Sequence, residues 1–197
     1  MPEPRRKNLE PPPAAIFLDR DGVINRKRPE DDYVKAWEEF EFLPGALEAV
    51  RLLSRVAQRL IIVTNQRGIA LGRMDEQSLH QIHSRMLAAI RQAGGRIDAV
   101  YYCPHHSDAC ECRKPGIGLY QQAKREFPEI AFANALVVGD SIRDLEAASR
   151  LGCQAVLLAE GERRAGLLEE ARRRSLPVSQ VASSLLEFSR QLLERLG

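Results

Sequence analysis

The chain has no apolar run approaching the roughly 20 residues needed to cross a bilayer, no Gly-x-x-x-x-Gly-Lys-Ser/Thr phosphate loop and no internal repeat. It also lacks a dominant charge: 29 Lys and Arg stand against 27 Asp and Glu, a net +2, so there is no basic stripe of the kind that tracks nucleic acid. Nor does it open like a secretory signal, because Met1-Pro2-Glu3-Pro4-Arg5-Arg6-Lys7 leads into Pro11-Pro12-Pro13 and not into an apolar segment. These absences predict a cytoplasmic protein without a membrane or nucleic-acid partner. Cysteine is scarce as well. Of four, three (Cys103, Cys110, Cys112) crowd one loop and Cys153 stands apart as a packing residue, which argues against a disulfide framework. At 197 residues the chain can bury one core of its own. The polar, proline-rich residues 1–13 read as a poorly ordered leader, and 14–197 as a single domain, monomeric by expectation.

What is present is organised around Ala14-Ala15-Ile16-Phe17-Leu18-Asp19-Arg20-Asp21-Gly22. Five apolar residues between a proline run and a glycine turn read as a strand buried on both faces, in the middle of a parallel sheet. Asp19 and Asp21, two apart at its carboxyl end, leave the strand on one face, where open α/β sheets bind their ligands. Two carboxylates that close repel unless a cation or a shared proton lies between them, and a divalent metal is the simplest remedy. An Asp-x-Asp-Gly surface turn is the plainer alternative.

Further apolar runs end in polar groups. Leu60-Ile61-Ile62-Val63 delivers Thr64-Asn65-Gln66-Arg67-Gly68, a hydroxyl, two amides and a turn-forming glycine where an anion can bind, unless Thr64 merely caps the turn. Ala135-Leu136-Val137-Val138-Gly139 delivers Asp140, with Asp144 four residues on, the spacing of one helix face; the pair fits a cation ligand and a residue just behind it. Amphipathic helices are predicted between the strands: one opened by Pro44-Gly45, one capped by Asp75 and stopped by Gly94-Gly95, one over 118–127, one from 141, and closing helices over 161–174 and 182–196. His80 and His83, with no acidic or cysteine neighbour in sequence, read as surface or interhelical residues. After a strand over 97–102 comes Cys103-Pro104-His105-His106-Ser107-Asp108-Ala109-Cys110-Glu111-Cys112. Three thiols and the His105 imidazole can close a tetrahedron around zinc with no position left for water, so that the site would fold a loop and do no chemistry; free thiols with a disulfide between two of them are the alternative, disfavoured because a Cys-x-Cys ring is strained. His106 is left to face substrate or solvent. Arg113 and Lys114 follow directly, so the loop would aim a planar fork suited to a second phosphate and a compact cation at the strand ends. The charged stretch 26–32 can lie over a substrate or move freely in solvent.

Taken together, Asp-x-Asp-Gly, strand-Thr-Asn, a lysine and Gly-Asp-x-x-x-Asp, in that order, resemble the four motifs of the haloacid dehalogenase superfamily of phosphatases. Phe17 to Asn25, Thr64 to Ala70 and Tyr101 to Pro115 are more closely similar to the heptose 1,7-bisphosphate phosphatases and their histidinol-phosphate relatives, over roughly residues 14–160. The resemblance implies a three-layer Rossmann-like sheet with helices on both faces, no large cap domain and a short zinc loop, 103–112. It implies Asp19 as nucleophile and Asp21 as acid and base, protonated when the leaving group departs. Thr64 and Lys114 would hold the phosphoryl group, and Asn65, Gln66, Arg67 and Arg113 the rest of a small phosphorylated substrate. Magnesium would lie on Asp19, the Asp21 carbonyl and Asp140, backed by Asp144, and zinc on Cys103, His105, Cys110 and Cys112. The short span from His105 to Cys110 leans towards the histidinol-phosphate type. Ser141 stands where a basic residue is frequent and Val23 where threonine is. Tyr-Tyr-Cys-Pro-His-His and Gly-Ile-Ala tip the expectation to the sugar bisphosphate.

Overall fold

The computed structural model describes residues 11–29, 32–106 and 110–197. Six strands, β1 (Ala15–Leu18), β2 (Arg59–Asn65), β3 (Ala99–Cys103), β4 (Ala135–Gly139), β5 (Gln154–Leu158) and β6 (Gln180–Ala182), form one sheet in the order β3-β2-β1-β4-β5-β6. Every pairing is parallel. Each crossover carries a helix: α1 (Ala46–Val56), α2 (Glu76–Gln92), α3 (Gly118–Glu126), α4 (Ile142–Leu151) and α5 (Gly161–Arg173), with α6 (Leu185–Leu196) closing the chain. The strands are apolar on both faces because both are covered. On β1, Ile16 and Leu18 join a core with α1, α2 and α6, while Ala15 and Phe17 join a second with α3, α4 and α5. Phe17 meets Tyr120 edge to face at 5.0 Å, an arrangement that suits the ring quadrupoles.

Helix ends follow their local chemistry. Asp75 accepts the Ser78 amide at α2, Ser141 and Asp144 form a reciprocal capping box at α4, and Gly152 takes the left-handed conformation that ends α4. Between β1 and α1 there is only loop and a single-turn 3-10 helix, Trp37–Glu39. No helix among the described residues is long and apolar enough to cross a membrane.

Three boundaries depart from the sequence reading. β6 was not expected: it is three residues long with a polar Gln180 at its start, and its strand character comes from pairing with β5. The last helix accordingly starts at Leu185 and not at Ala182. Residues 1–10 of the expected leader lie outside the described residues, but its end is tied down, since the Pro13 carbonyl accepts the Gln58 amide and the Pro12 carbonyl the Asn134 side chain. Residues 30 and 31 of the charged loop and 107–109 of the cysteine loop also lie outside the described residues.

Candidate active site

Strand order reverses around β1, with β2 on one side and β4 on the other, and at such a switch point the carboxyl ends of the strands open a crevice. A cleft of about 1350 Å³ lies there, lined among others by Asp19, Asp21, Thr64, Arg113, Lys114 and Asp140. Asp19 follows β1 directly and its amide donates to the Val138 carbonyl of β4 at 3.0 Å, so the first acid is fastened to the strand that carries the last. The register Leu18 to Val138 brings Asp19, Asp140 and Asp144 together, one oxygen from each within 4.8 Å of the others.

Lys114 lies at the centre, only 3% exposed, with Nζ 3.0 Å from Asp19 Oδ1 and 2.7 Å from Asp144 Oδ1. Burial alone would push this amine down, but the Asp144 and Asp19 carboxylates more than offset it and hold Lys114 above its ordinary value. Asp19 is pushed up to about 7, by burial first and then by Asp144, Asp140 and Asp21, against the opposing pull of Lys114. Asp144 spends both oxygens on protein, Oδ1 on Lys114 and Oδ2 on Ser141 Oγ and N at 2.6 and 3.2 Å. It is therefore placed to orient Lys114 and not to ligate. Asp140 differs: Oδ2 takes Arg163 at 2.6 Å, while Oδ1 is buried with no hydrogen-bond partner. An orphaned buried carboxylate oxygen beside a second carboxylate fits a hard cation. Gly22 leaves room for it, at φ +90° with any Cβ only 2.4 Å from Asp140 Oδ2.

Both carboxylate oxygens of Asp21 are engaged. Its Oδ1 accepts from Arg20 and Asn25, both at 2.9 Å, and its Oδ2 from Gln66 at 2.9 Å. Burial pushes Asp21 up, but the Arg20 charge and the hydrogen bonds from Arg20, Asn25 and Gln66 outweigh it and hold the carboxyl below its ordinary value. The side chain rests ionised, suited to accept a proton. Thr64, buried at the end of β2, receives Gln66 Nε2 on Oγ1 at 2.9 Å, which leaves its own hydroxyl proton free to donate.

Two amides expected against substrate turn inward. Asn65 exchanges hydrogen bonds with the Lys114 backbone, accepting its N–H at 3.0 Å and donating to its carbonyl at 3.1 Å, so it latches the lysine loop. Gln66 is buried and committed to Asp21, Thr64 and Arg20. Arg67 and Arg113 do line the cleft. Arg67 Nε donates to Tyr33 Oη at 2.9 Å, and Arg113 Nη1 to the His105 carbonyl at 3.4 Å. Sequence reasoning missed Arg163, which reaches from α5 to the Asp140 carbonyl and carboxylate. Extending the strand-end rule to β5 would have found it.

At the cleft's edge Cys103 Sγ, His105 Nδ1, Cys110 Sγ and Cys112 Sγ gather within 4.8 Å of one another, and all four cysteines of the chain are free thiols. Cys112 Sγ lies 3.2 Å from Cys103, 3.3 Å from Cys110 and 3.1 Å from His105 Nδ1. Soft donors at that spacing could hold zinc. His106 is exposed beside them.

Residues 111–188 match the family model described as HAD-hydrolase-like. The chain is 40% identical over 177 residues, 87% of its own length and 97% of the relative's, to D-glycero-beta-D-manno-heptose-1,7-bisphosphate 7-phosphatase of Bordetella bronchiseptica. It is 42% identical over 141 residues, 71% of the chain and 74% of the relative, to D-glycero-alpha-D-manno-heptose-1,7-bisphosphate 7-phosphatase of Mycobacterium bovis. Among solved structures, the Bordetella bronchiseptica D,D-heptose 1,7-bisphosphate phosphatase, complexed with magnesium and phosphate, superposes with a TM-score of 0.81 at 38% identity, covering 91% of this chain and 98% of that one. With likeness of that extent on top of the carboxylate and lysine geometry, this chain belongs to the heptose-1,7-bisphosphate 7-phosphatase family of haloacid dehalogenase-like phosphatases.

Proposed function

We propose that this phosphatase removes the 7-phosphate of D-glycero-D-manno-heptose 1,7-bisphosphate through an aspartyl-phosphate on Asp19. The observation that carries the reading is the 40% identity to a 7-phosphatase along nearly its entire length, in a chain whose Asp19 and Lys114 meet at the switch point. Asp19, Asp140 and the Asp21 carbonyl would hold magnesium, whose charge neutralises the incoming phosphate. Cys103, His105, Cys110 and Cys112 would hold zinc and thereby fix Arg113 and Lys114.

Asp19 Oδ attacks phosphorus as the bond to the sugar oxygen breaks, and Lys114 Nζ and Thr64 Oγ1 offset charge on the transferring oxygens. Because Asp21 rests ionised, the proton needed by the leaving oxygen enters with the phosphate monoanion; Asp21 takes it up and passes it on. Asp21, ionised again, then removes a proton from the water that attacks the aspartyl-phosphate, freeing phosphate and restoring Asp19. Arg113 and Arg67, which line the cleft, would face the phosphate that stays. A screen of both heptose bisphosphate anomers, histidinol phosphate and other sugar phosphates, with metal content measured on the same sample, tests this. The highest kcat/KM should fall on a heptose bisphosphate, with release from position 7; a higher value on histidinol phosphate would overturn the assignment.

A further inference from the structure

Arg20 is the largest fully buried side chain of the described residues, 1% exposed, and a guanidinium stays charged wherever it is placed. Such a group needs acceptors. Nη2 has two, Asp21 Oδ1 at 2.9 Å and Gln66 Oε1 at 3.3 Å; Nη1 meets His83 Nε2 at 3.1 Å. Because guanidinium can only donate, His83 Nε2 must be the acceptor, so the imidazole is neutral with its proton on Nδ1. Of the two places its sequence context left open, surface or interhelical, His83 does not take the surface. It is 7% exposed on α2, beside Leu79, Ile82 and Met86 on the same buried stripe, with the Tyr102 ring edge-on at 6.1 Å. The charged and titratable groups that face it are Arg20, Asp21, His80 and Tyr102. Any apolar residue could fill that stripe. Only one with a directed lone pair could hold Nη1.

We infer that His83 is a positioning residue: by holding Nη1 it fixes the guanidinium plane, and Nη2 of that plane fixes the Asp21 carboxylate that must face the leaving oxygen and the attacking water. The inference rests on the acid and base reading of Asp21. Released from His83, Nη1 would be free to turn, and the Asp21 carboxylate held by Nη2 of the same plane would lose its aim without substrate losing any contact.

The test uses the full chain, loaded with magnesium, on heptose 1,7-bisphosphate and on p-nitrophenyl phosphate. His83→Leu should lower kcat about tenfold or more on both with KM nearly unchanged. His83→Gln, whose Oε1 reaches the place of Nε2, should restore most of it. A Leu variant with native circular dichroism and unaltered kcat overturns the inference, as does a Gln variant as impaired as the Leu one. If His83→Leu does not fold, His83→Asn, one bond too short, replaces it, and equal kcat for Asn and Gln overturns it. Asp21→Asn run alongside separates the two readings. An active Asp21→Asn removes the acid and base role itself, whereas an inactive one beside an unaffected His83→Leu removes only the role of His83.

Discussion

Asp19 lies more than a hundred residues from Asp140 and Asp144 and meets them only because β1 pairs with β4, whereas Cys103, His105, Cys110 and Cys112 are near neighbours in sequence and meet by closing one loop. The first set is imposed by the sheet. Its repulsion is built in, visible as an Asp19 carboxyl pushed up to about 7, and Lys114 offsets part of it. The second set lies in one loop that leaves β3, where backbone bonds from Gln66 to the Cys103 carbonyl and from Gly118 to the Glu111 carbonyl hold its two ends and the side chains of the four meet between them. A cation at the carboxylates would therefore tune a site that already exists, while a cation at the thiols would create the loop that aims Arg113 and Lys114.

Removing the nucleophile breaks the comparison on one side most sharply. Asp19→Asn should lower turnover on the order of 10⁴-fold or more while relieving carboxylate repulsion, so the melting temperature should hold or rise and zinc content should not change. Full activity in a preparation free of wild-type enzyme would sink the assignment. Next in size comes a reciprocal pair. In Gly22→Ala a Cβ 2.4 Å from Asp140 Oδ2 at φ +90° should weaken magnesium binding about 10- to 100-fold and leave zinc stoichiometry alone. Cys112→Ser should strip zinc and lower kcat/KM on the bisphosphate by about 10- to 100-fold with magnesium affinity unaltered. Calorimetry and metal analysis on both variants read the outcome; if each variant disturbed both metals, the two clusters would not be separable as argued.

The strands were legible because a strand covered on both faces must read as a continuous apolar run, and Ile16 to Leu18, Leu60 to Val63 and Leu136 to Val138 do. Acids and a threonine at their ends then mark the crevice, since all parallel strands of one sheet end on the same side. Direction was not legible. Asn65 and Gln66 sit where expected but turn their amides inward, because the partners that claim them, Lys114 and Asp21, arrive from β3–α3 and β1. The resting charge of Asp21 depends in the same way on Asn25 and Gln66, and the place of His83 on how α2 packs, none of which periodicity contains. β6 escaped notice because a short edge strand is defined by its neighbour β5 and not by its own residues.

Proton competition sharpens the comparison. With its carboxyl at about 7, Asp19 is protonated below that pH and must lose one proton before it can ligate, so magnesium affinity should fall as pH drops, approaching about tenfold per unit. The opposite sign, tighter binding in acid, would mean that Asp19 is not a ligand. The thiol cluster gives a steeper dependence. Burial pushes Cys103 and Cys112 up, and thiolates rather than thiols bind metal, so zinc binding at neutral pH must displace at least two protons, with a log-affinity slope of about two or more. Titrations at pH 6, 7 and 8 with each metal, followed by calorimetry in buffers of different ionisation enthalpy to count protons released, would measure both slopes. Equal slopes would mean that the carboxylate site gives up as many protons as the thiol site, which a single raised carboxyl beside Lys114 cannot supply.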